Sequence, residues 1–97
     1  MTTAARRKIN VFLVDDHPIV RKGVRSYLEE QGSIAVVGEA SDASEAIRKA
    51  KSLLPDVIVL DVSLPSLDGG ELARRLHRIV PKAKIVAFSI HSSEDYV

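Results

Sequence analysis

Residues 9–16 have the sequence INVFLVDD, an apolar run that ends in two neighbouring aspartates, Asp15 and Asp16. Residues 57–61 repeat this pattern as VIVLD, an apolar run that ends in Asp61. If both runs form neighbouring parallel strands, their carboxyl ends lie at the same edge of the sheet, where open α/β folds bind ligands. Three carboxylates crowded there repel one another unless a cation neutralises them. The sequence therefore predicts an acidic site that holds a divalent metal.

Segments in which apolar residues recur at helical spacing alternate with these strands. The first helix starts at Pro18 and is predicted to end in a C-cap at Gly32. The second starts with a capping box between Asp42 and Glu45 and stops where Pro55 prevents its continuation. Its predicted buried positions are Ala43, Ala46, Ile47, Ala50 and Leu54. A third helix is marked by Leu72, Leu76, Ile79 and Val80, and two further strands are predicted over residues 34–38 and 84–90.

Strands 1, 3 and 4 are nearly continuous apolar runs, a pattern typical of a parallel sheet with helices on both faces. Right-handed crossovers between parallel strands then follow. The predicted fold class is α/β, with a doubly wound parallel sheet.

Composition limits the chain to one small domain. It has 97 residues, 45% of them hydrophobic, and a formal net charge of +1. The charges are mixed in sign, so no nucleic-acid surface is predicted. Cysteine is absent, and no run approaches the about 18 apolar residues of a membrane span. We expect a flexible leader over 1–8, a domain over 9–97, no membrane contact and a cytoplasmic location.

Several motifs occur together in a specific order. They are VFLVDDHP at 11–18, LDVSLP at 60–65 followed by Asp68-Gly69, and AFS at 87–89. In this order and spacing they resemble the receiver domain of bacterial two-component response regulators. The segments DDHP, VGEA at 37–40 and HSSEDYV at 91–97 are most similar to the NarL/FixJ-type subfamily.

The resemblance implies a fold and a set of roles. The fold is flavodoxin-like (CheY-like), with strand order 2-1-3-4-5. Asp61 would accept a phosphoryl group from a sensor histidine kinase. Mg²⁺ would be bound directly by Asp16 and through a water molecule by Asp15. Its other ligands would be Asp61 and the main-chain carbonyl of Ser63. Ser89 would be the switch hydroxyl. Such a protein is a signalling receiver rather than an enzyme, beyond catalysing its own phosphoryl transfer and dephosphorylation.

The family's domain continues through a fifth strand, which carries a lysine, and a fifth helix, whereas this sequence stops near the start of helix 4. We interpret the chain as truncated before strand 5, and we expect self-association through the exposed edge of strand 4 or by swapping. In the parent protein, a C-terminal helix-turn-helix domain would contact DNA and regulate transcription. This chain itself would not contact nucleic acid.

Three other functions remain open. A truncated receiver could serve as an interaction or dimerisation module that cannot be phosphorylated. An aspartyl-phosphate phosphatase is less favoured, because such enzymes need a second acid two residues after the nucleophile, where this chain has Ser63. A nucleotide-binding protein is disfavoured by Asp15 and Asp16, which stand where a phosphate loop would have glycines.

Two further predictions concern residues beside the acidic pair. His17 is expected to start the first helix near the site and not to bind the metal, because imidazole suits Mg²⁺ poorly compared with carboxylate oxygen. Arg21, Lys22 and Arg25 are interpreted as a solvated helix face, one that also resembles part of the family's kinase-docking surface.

Overall fold

The structure is a computed structural model that describes residues 7–62 and 69–88. In this part of the chain, strands and helices alternate. They are β1 (Ile9–Val14), α1 (Pro18–Glu29), β2 (Ile34–Ala40), α2 (Ala43–Leu53), β3 (Val57–Asp61), α3 (Gly69–Ile79) and β4 (Lys84–Phe88). The strands form one parallel sheet in the order β2-β1-β3-β4. This confirms the predicted α/β fold and the predicted order of the first four strands; the described residues contain no fifth strand.

The hydrophobic core lies between the central strands and helices α2 and α3. Alternate residues of β1 and β3 point to one face of the sheet. There they form a single cluster with small and branched side chains of the two helices. Its central members are Phe12, Val14, Ile58, Leu60, Ala46, Ala50, Leu72 and Leu76. Full burial of each large side chain contributes about 1.5–3 kcal/mol, so this cluster fixes the two central strands relative to each other.

Helix α1 is amphipathic, as predicted, but none of its residues is buried. It packs mainly on β1 and β2, and Ile19 and Tyr27 are largely exposed. The helix ends at Glu29 with Glu30 as its C-cap. The predicted cap at Gly32 is therefore wrong by two residues, although Gly32 does have the positive φ, 74°, that lets the chain reverse into β2.

Helix α2 starts with the predicted capping interaction. The Asp42 carboxylate accepts a hydrogen bond from the Glu45 N–H at 2.8 Å, and the Glu45 carboxylate accepts one from the Ser41 N–H at 2.8 Å. This second bond is the largest cause, ahead of the neighbouring Lys49, of the lowering of the Glu45 pKa to about 2. The Glu45 carboxylate therefore contributes its full stabilisation above its ordinary pKa of 4.5, and this contribution is lost as the pH falls through about 2.

The end of α2 differs from the prediction at one residue. Leu54 was expected to be buried, but its side chain is 69% exposed. The residue has left the helix for the left-handed conformation, with φ 45°, and its N–H donates to the Ala50 carbonyl. Pro55 follows and cannot continue the helix. The preceding residue, Leu53, packs against the core instead.

The pairing of β1 with β2 contains a register shift. Val11 lies opposite Val36, but Phe12 lies opposite Gly38, so Val37 is left without a partner in the ladder. This β-bulge advances β2 by one residue relative to β1. It brings Glu39 opposite Leu13 near the carboxyl end of the sheet.

Strand β4 is the outer strand of the sheet that the structure describes. None of its side chains is fully buried, and Val86 is 46% exposed, which differs from the burial on both faces that the apolar run predicts. At the amino end of the sheet, Arg7 from the predicted leader pairs with Asp56 at 2.7 Å. None of the helices in the described part of the chain is long and apolar enough to cross a bilayer.

We predict that Asp42→Ala lowers the free energy of unfolding by about 1 kcal/mol, because α2 then loses its side-chain cap. Urea denaturation followed by circular dichroism measures this loss. Ser44→Ala, an exposed position in the same first turn, serves as the control. An equal loss in the two variants would contradict the capping role of Asp42.

Candidate functional site

The carboxyl ends of β1 and β3 meet at one edge of the sheet, as predicted. Val14 lies opposite Leu60 in the parallel ladder, so the next residues along the two strands are Asp15 and Asp61. Both side chains are fully buried, while Asp16 is only partly exposed. Single ligand atoms from these three aspartates and His17 lie within 4.8 Å of one another. The structure thus brings the three predicted acidic residues together.

Backbone hydrogen bonds hold both acidic strand ends in place. The Asp15 N–H donates to the Ala40 carbonyl at 3.0 Å, which continues the ladder between β1 and β2 beyond the last residue of β1. The Val62 N–H donates to the Phe88 carbonyl at 2.8 Å, which continues the ladder between β3 and β4. Because each strand end is fixed by a neighbouring strand, the aspartates cannot separate without breaking the sheet.

His17 occupies a central position among the carboxylates. Its Nδ1 atom lies 3.0 Å from Asp15 Oδ1, 2.9 Å from Asp16 Oδ1 and 3.2 Å from Asp61 Oδ2. The hydrogen bond with the Asp15 carboxylate is the main reason that the pKa of His17 is raised. His17 is also the N-cap residue of α1, which confirms that it starts the helix beside the site.

The Asp15 carboxyl group lies in an environment that disfavours its charged form. Its burial raises its pKa, because a buried environment disfavours the charged form. The His17 N–H, which donates to Asp15 Oδ1 at 2.8 Å, opposes this effect, and the nearby Asp61 adds to it. The other oxygen, Asp15 Oδ2, is buried and accepts no hydrogen bond from the part of the chain that the structure describes.

The chemistry of this site suits a hard divalent cation. Mg²⁺ prefers oxygen ligands and is commonly bound by one or two carboxylates together with several waters. The aspartates supply such oxygens, and a metal-bound water could donate to the buried Asp15 Oδ2, which accepts no hydrogen bond from the described residues. The residues present therefore fit Mg²⁺. A bound metal and the His17 ring would compete for the same carboxylate oxygens.

Two predicted site residues, Ser63 and Ser89, lie outside the described residues. They follow Val62 and Phe88 in the sequence, and these two neighbours are joined by the backbone hydrogen bond described above. The roles assigned to Ser63 and Ser89 stay predictions.

Sequence reasoning missed one residue of the site, Arg21. Its interpretation as part of a solvated helix face is wrong, because its side chain is only 22% exposed and its Nη1 donates to the main-chain carbonyl of Asp15 at 2.6 Å. The neighbouring Lys22 is exposed, as predicted. The position of Arg21 in the sequence could have indicated this contact, because a long side chain in the first turn of α1 can reach back to the end of β1.

We predict that Asp15→Asn stabilises the metal-free protein at neutral pH by on the order of 1 kcal/mol, because burial of a charge costs several kcal/mol and His17 offsets only part of that cost. The gain should disappear at acid pH. A raised pKa means that the folded state holds the Asp15 proton more tightly than the unfolded state, so the wild type loses stability as the pH rises from 3.8, the ordinary value, through the raised pKa.

The free energy of unfolding in the presence of a chelator, measured for both proteins from acid to neutral pH, tests this prediction. Glu30→Gln, which removes an exposed carboxylate, is the control for a general effect of charge. A gain for Asp15→Asn that does not depend on pH would contradict the explanation by burial.

Comparison with known proteins agrees with the geometry. Residues 11–97 match the family described as the response regulator receiver domain. The chain is 42% identical over 89 residues to the transcriptional regulatory protein LiaR of Bacillus subtilis (strain 168), which covers 92% of this chain and 42% of LiaR. The chain thus spans less than half the length of this relative.

Solved structures give the same result. A LuxR-family two-component response regulator from Aurantimonas sp. SI85-9A1 has a TM-score of 0.82 and 39% identity, over 92% of this chain and 64% of that one. The signal receiver domain of the putative response regulator NarL from Mycobacterium tuberculosis has a TM-score of 0.81 and 37% identity, over 89% of this chain and 69% of that one. The chain therefore belongs to the receiver domains of two-component response regulators, and its relatives are regulators of the NarL/LuxR type.

Proposed function

We propose that Asp61 accepts a phosphoryl group from a sensor histidine kinase, with Mg²⁺ bound at the acidic edge of the sheet. The observation that carries this proposal is the position of Asp61, which is buried at the end of β3 within reach of the Asp15 and Asp16 carboxylates. A buried carboxylate at a strand end, beside two others, is costly for a purely structural role. It suits a site where a cation and a phosphoryl group meet.

The chemistry assigned to Asp61 is nucleophilic. A carboxylate oxygen of Asp61 forms a bond to phosphorus while the bond between phosphorus and the donor's imidazole nitrogen breaks, and the electron pair of that bond returns to the imidazole. The product is an acyl phosphate. Bound Mg²⁺ would supply positive charge to offset the repulsion between the phosphoryl oxygens and the aspartates.

The proposed metal ligands are Asp16 directly, Asp15 through water, Asp61 and the main-chain carbonyl of Ser63. All of these are oxygen donors, in keeping with the preference of Mg²⁺. His17 is not among them. In the metal-free protein its ring is hydrogen-bonded to the Asp15 carboxylate and lies close to the carboxylates of Asp16 and Asp61, so it would have to withdraw from them when a metal binds.

The proposed switch is Ser89, whose hydroxyl would bond to a phosphoryl oxygen on Asp61 and so convert a local change of charge into a movement of the following loop. Its support is the resemblance to the family, together with the position of the preceding Phe88 opposite Asp61 in the parallel ladder. As a signalling module, the protein would catalyse no reaction beyond its own phosphoryl transfer and hydrolysis.

The proposed output is transcription control by a longer protein. LiaR is named a transcriptional regulatory protein, and this chain spans 42% of its length. In the proposal, the receiver passes its signal to a DNA-binding domain elsewhere in the parent protein and does not itself contact nucleic acid. The cytoplasmic location stays a prediction from the sequence.

We predict that acetyl phosphate and Mg²⁺ add one phosphoryl group to the wild type, detected by intact mass, and that Asp61→Asn or chelation of the metal abolishes the addition. Asp56→Asn is the matched control, because Asp56 is an aspartate at the opposite end of β3. This variant should be modified like the wild type.

Two results would contradict the proposal. One is an unmodified wild type whose circular dichroism shows that it is folded, which would favour the interaction module without phosphorylation. The other is equal modification of Asp61→Asn, which would assign the phosphoryl group to another residue.

We also propose self-association through β4. This strand is the outer one among the described residues, and an open edge presents unpaired backbone groups to another chain. Its exposed Val86 adds apolar surface beside those groups.

We predict that the wild type forms a dimer through β4 and that Val86→Lys shifts it towards a monomer, measured by light scattering after size-exclusion chromatography, because a charge on an edge strand opposes pairing. Ile19→Lys, on the exposed face of α1, should leave the dimer intact. A monomeric wild type at high concentration, or a dimer disrupted only by Ile19→Lys, would rule out the β4 interface.

A further inference from the structure

Arg21 joins the acidic site to the neighbouring strand β2. Its Nη1 donates to the main-chain carbonyl of Asp15 at 2.6 Å, and its Nε lies 2.9 Å from Glu39 Oε1. The guanidinium thus contacts a carbonyl at the end of β1 and a carboxylate near the end of β2 at the same time. A planar group with several fixed donors suits such a double contact, which the single ammonium of lysine does not reproduce.

The Asp15 carbonyl matters because it belongs to the peptide bond that leads to Asp16. This peptide bond is planar, so a hydrogen bond to its oxygen also fixes the direction in which the chain enters Asp16. The Asp15 N–H is already held by Ala40. Arg21 therefore holds the carbonyl of Asp15, while the sheet holds its N–H, and this contact restricts the orientation of the peptide that leads into Asp16.

Glu39 in turn is fixed from several sides. Arg25 also pairs with its carboxylate, and Lys49 donates to its main-chain carbonyl at 2.7 Å while pairing with Glu45 at 2.9 Å. Glu39 is thereby tied to α1 through its carboxylate and to α2 through its main-chain carbonyl. This arrangement leaves Arg21 little freedom to turn away from Asp15.

We propose that Arg21 is a positioning residue for metal binding: by holding the peptide between Asp15 and Asp16, it keeps the Asp16 carboxylate directed at the metal. This inference rests on the proposed Mg²⁺ site. The change in metal affinity that it predicts for loss of Arg21 is opposite in sign to the change expected from charge alone. Removing a positive charge beside an acidic site should strengthen the binding of a cation, whereas releasing the Asp15–Asp16 peptide should weaken it.

The test compares Arg21→Gln, Arg21→Lys and Lys22→Gln with the wild type. Lys22 lies next to Arg21 on α1 but is exposed, so Lys22→Gln removes the same charge without releasing the peptide. Amide chemical shifts in a titration with MgCl₂ alone give the dissociation constant of the metal. In metal-free protein, the Asp16 amide resonance reports directly on the Asp15–Asp16 peptide, and it should move in the Arg21 variants but not in Lys22→Gln.

We expect Arg21→Gln to weaken Mg²⁺ binding about tenfold, which corresponds to the loss of one hydrogen bond from a charged donor. Arg21→Lys should also weaken it, although it keeps the charge, and it provides the test if Arg21→Gln does not fold. Lys22→Gln should leave the affinity unchanged or slightly higher. Acetyl phosphate labelling of Arg21→Gln should need more Mg²⁺ for half-maximal rate but reach a rate near that of wild type at saturating Mg²⁺.

The possible failures are distinguishable. If folded Arg21 variants bind Mg²⁺ as tightly as the wild type, or more tightly, the positioning role is wrong while the metal site stands. If the wild type itself binds no Mg²⁺, the proposed function fails and this inference with it.

Discussion

The acidic site depends on the parallel pairing of β1 with β3. In an antiparallel pair the ends of the two strands would point to opposite edges of the sheet, and Asp15 and Asp61 would be separated by the length of a strand. Parallel pairing requires a crossover, which α1, β2 and α2 provide here, and the core cluster on one face of the sheet holds the two strands in register. The hydrophobic core thus determines where the carboxylates lie, although none of its side chains is charged.

The burial of Asp15 that forms the acidic site also lowers the stability of the folded protein. Burial raises the pKa of Asp15, so the folded protein at neutral pH contains a carboxylate in an unfavourable environment. His17 offsets part of this cost from within the same cluster. A ligand that binds the folded state alone stabilises it by mass action, so a cation at this edge would act on stability as well as on chemistry.

Features that depend on local patterns in the sequence were predictable, whereas features that depend on contacts between distant residues were not. Asp15 and Asp61 could be placed together because strand ends and parallel pairing are visible as local patterns. The exposure of Leu54 was not predictable in the same way, since the spacing of apolar residues does not show where a helix changes to the left-handed conformation. Arg21 was missed because its contacts with Asp15 and Glu39 exist only after α1 has packed beside two strands.

Because of the β-bulge opposite Phe12, the number of residues in β2 affects the acidic site as well as the strand. Side chains alternate between the faces of a sheet, so a shift of one residue would move every later side chain of β2 to the other face. Beyond the bulge lie Glu39, which orients Arg21, and Ala40, whose carbonyl holds Asp15. Substitutions at Val37 would preserve this geometry, whereas loss of one residue there would reverse it. At position 37, the site therefore constrains the presence of a residue more strictly than its identity.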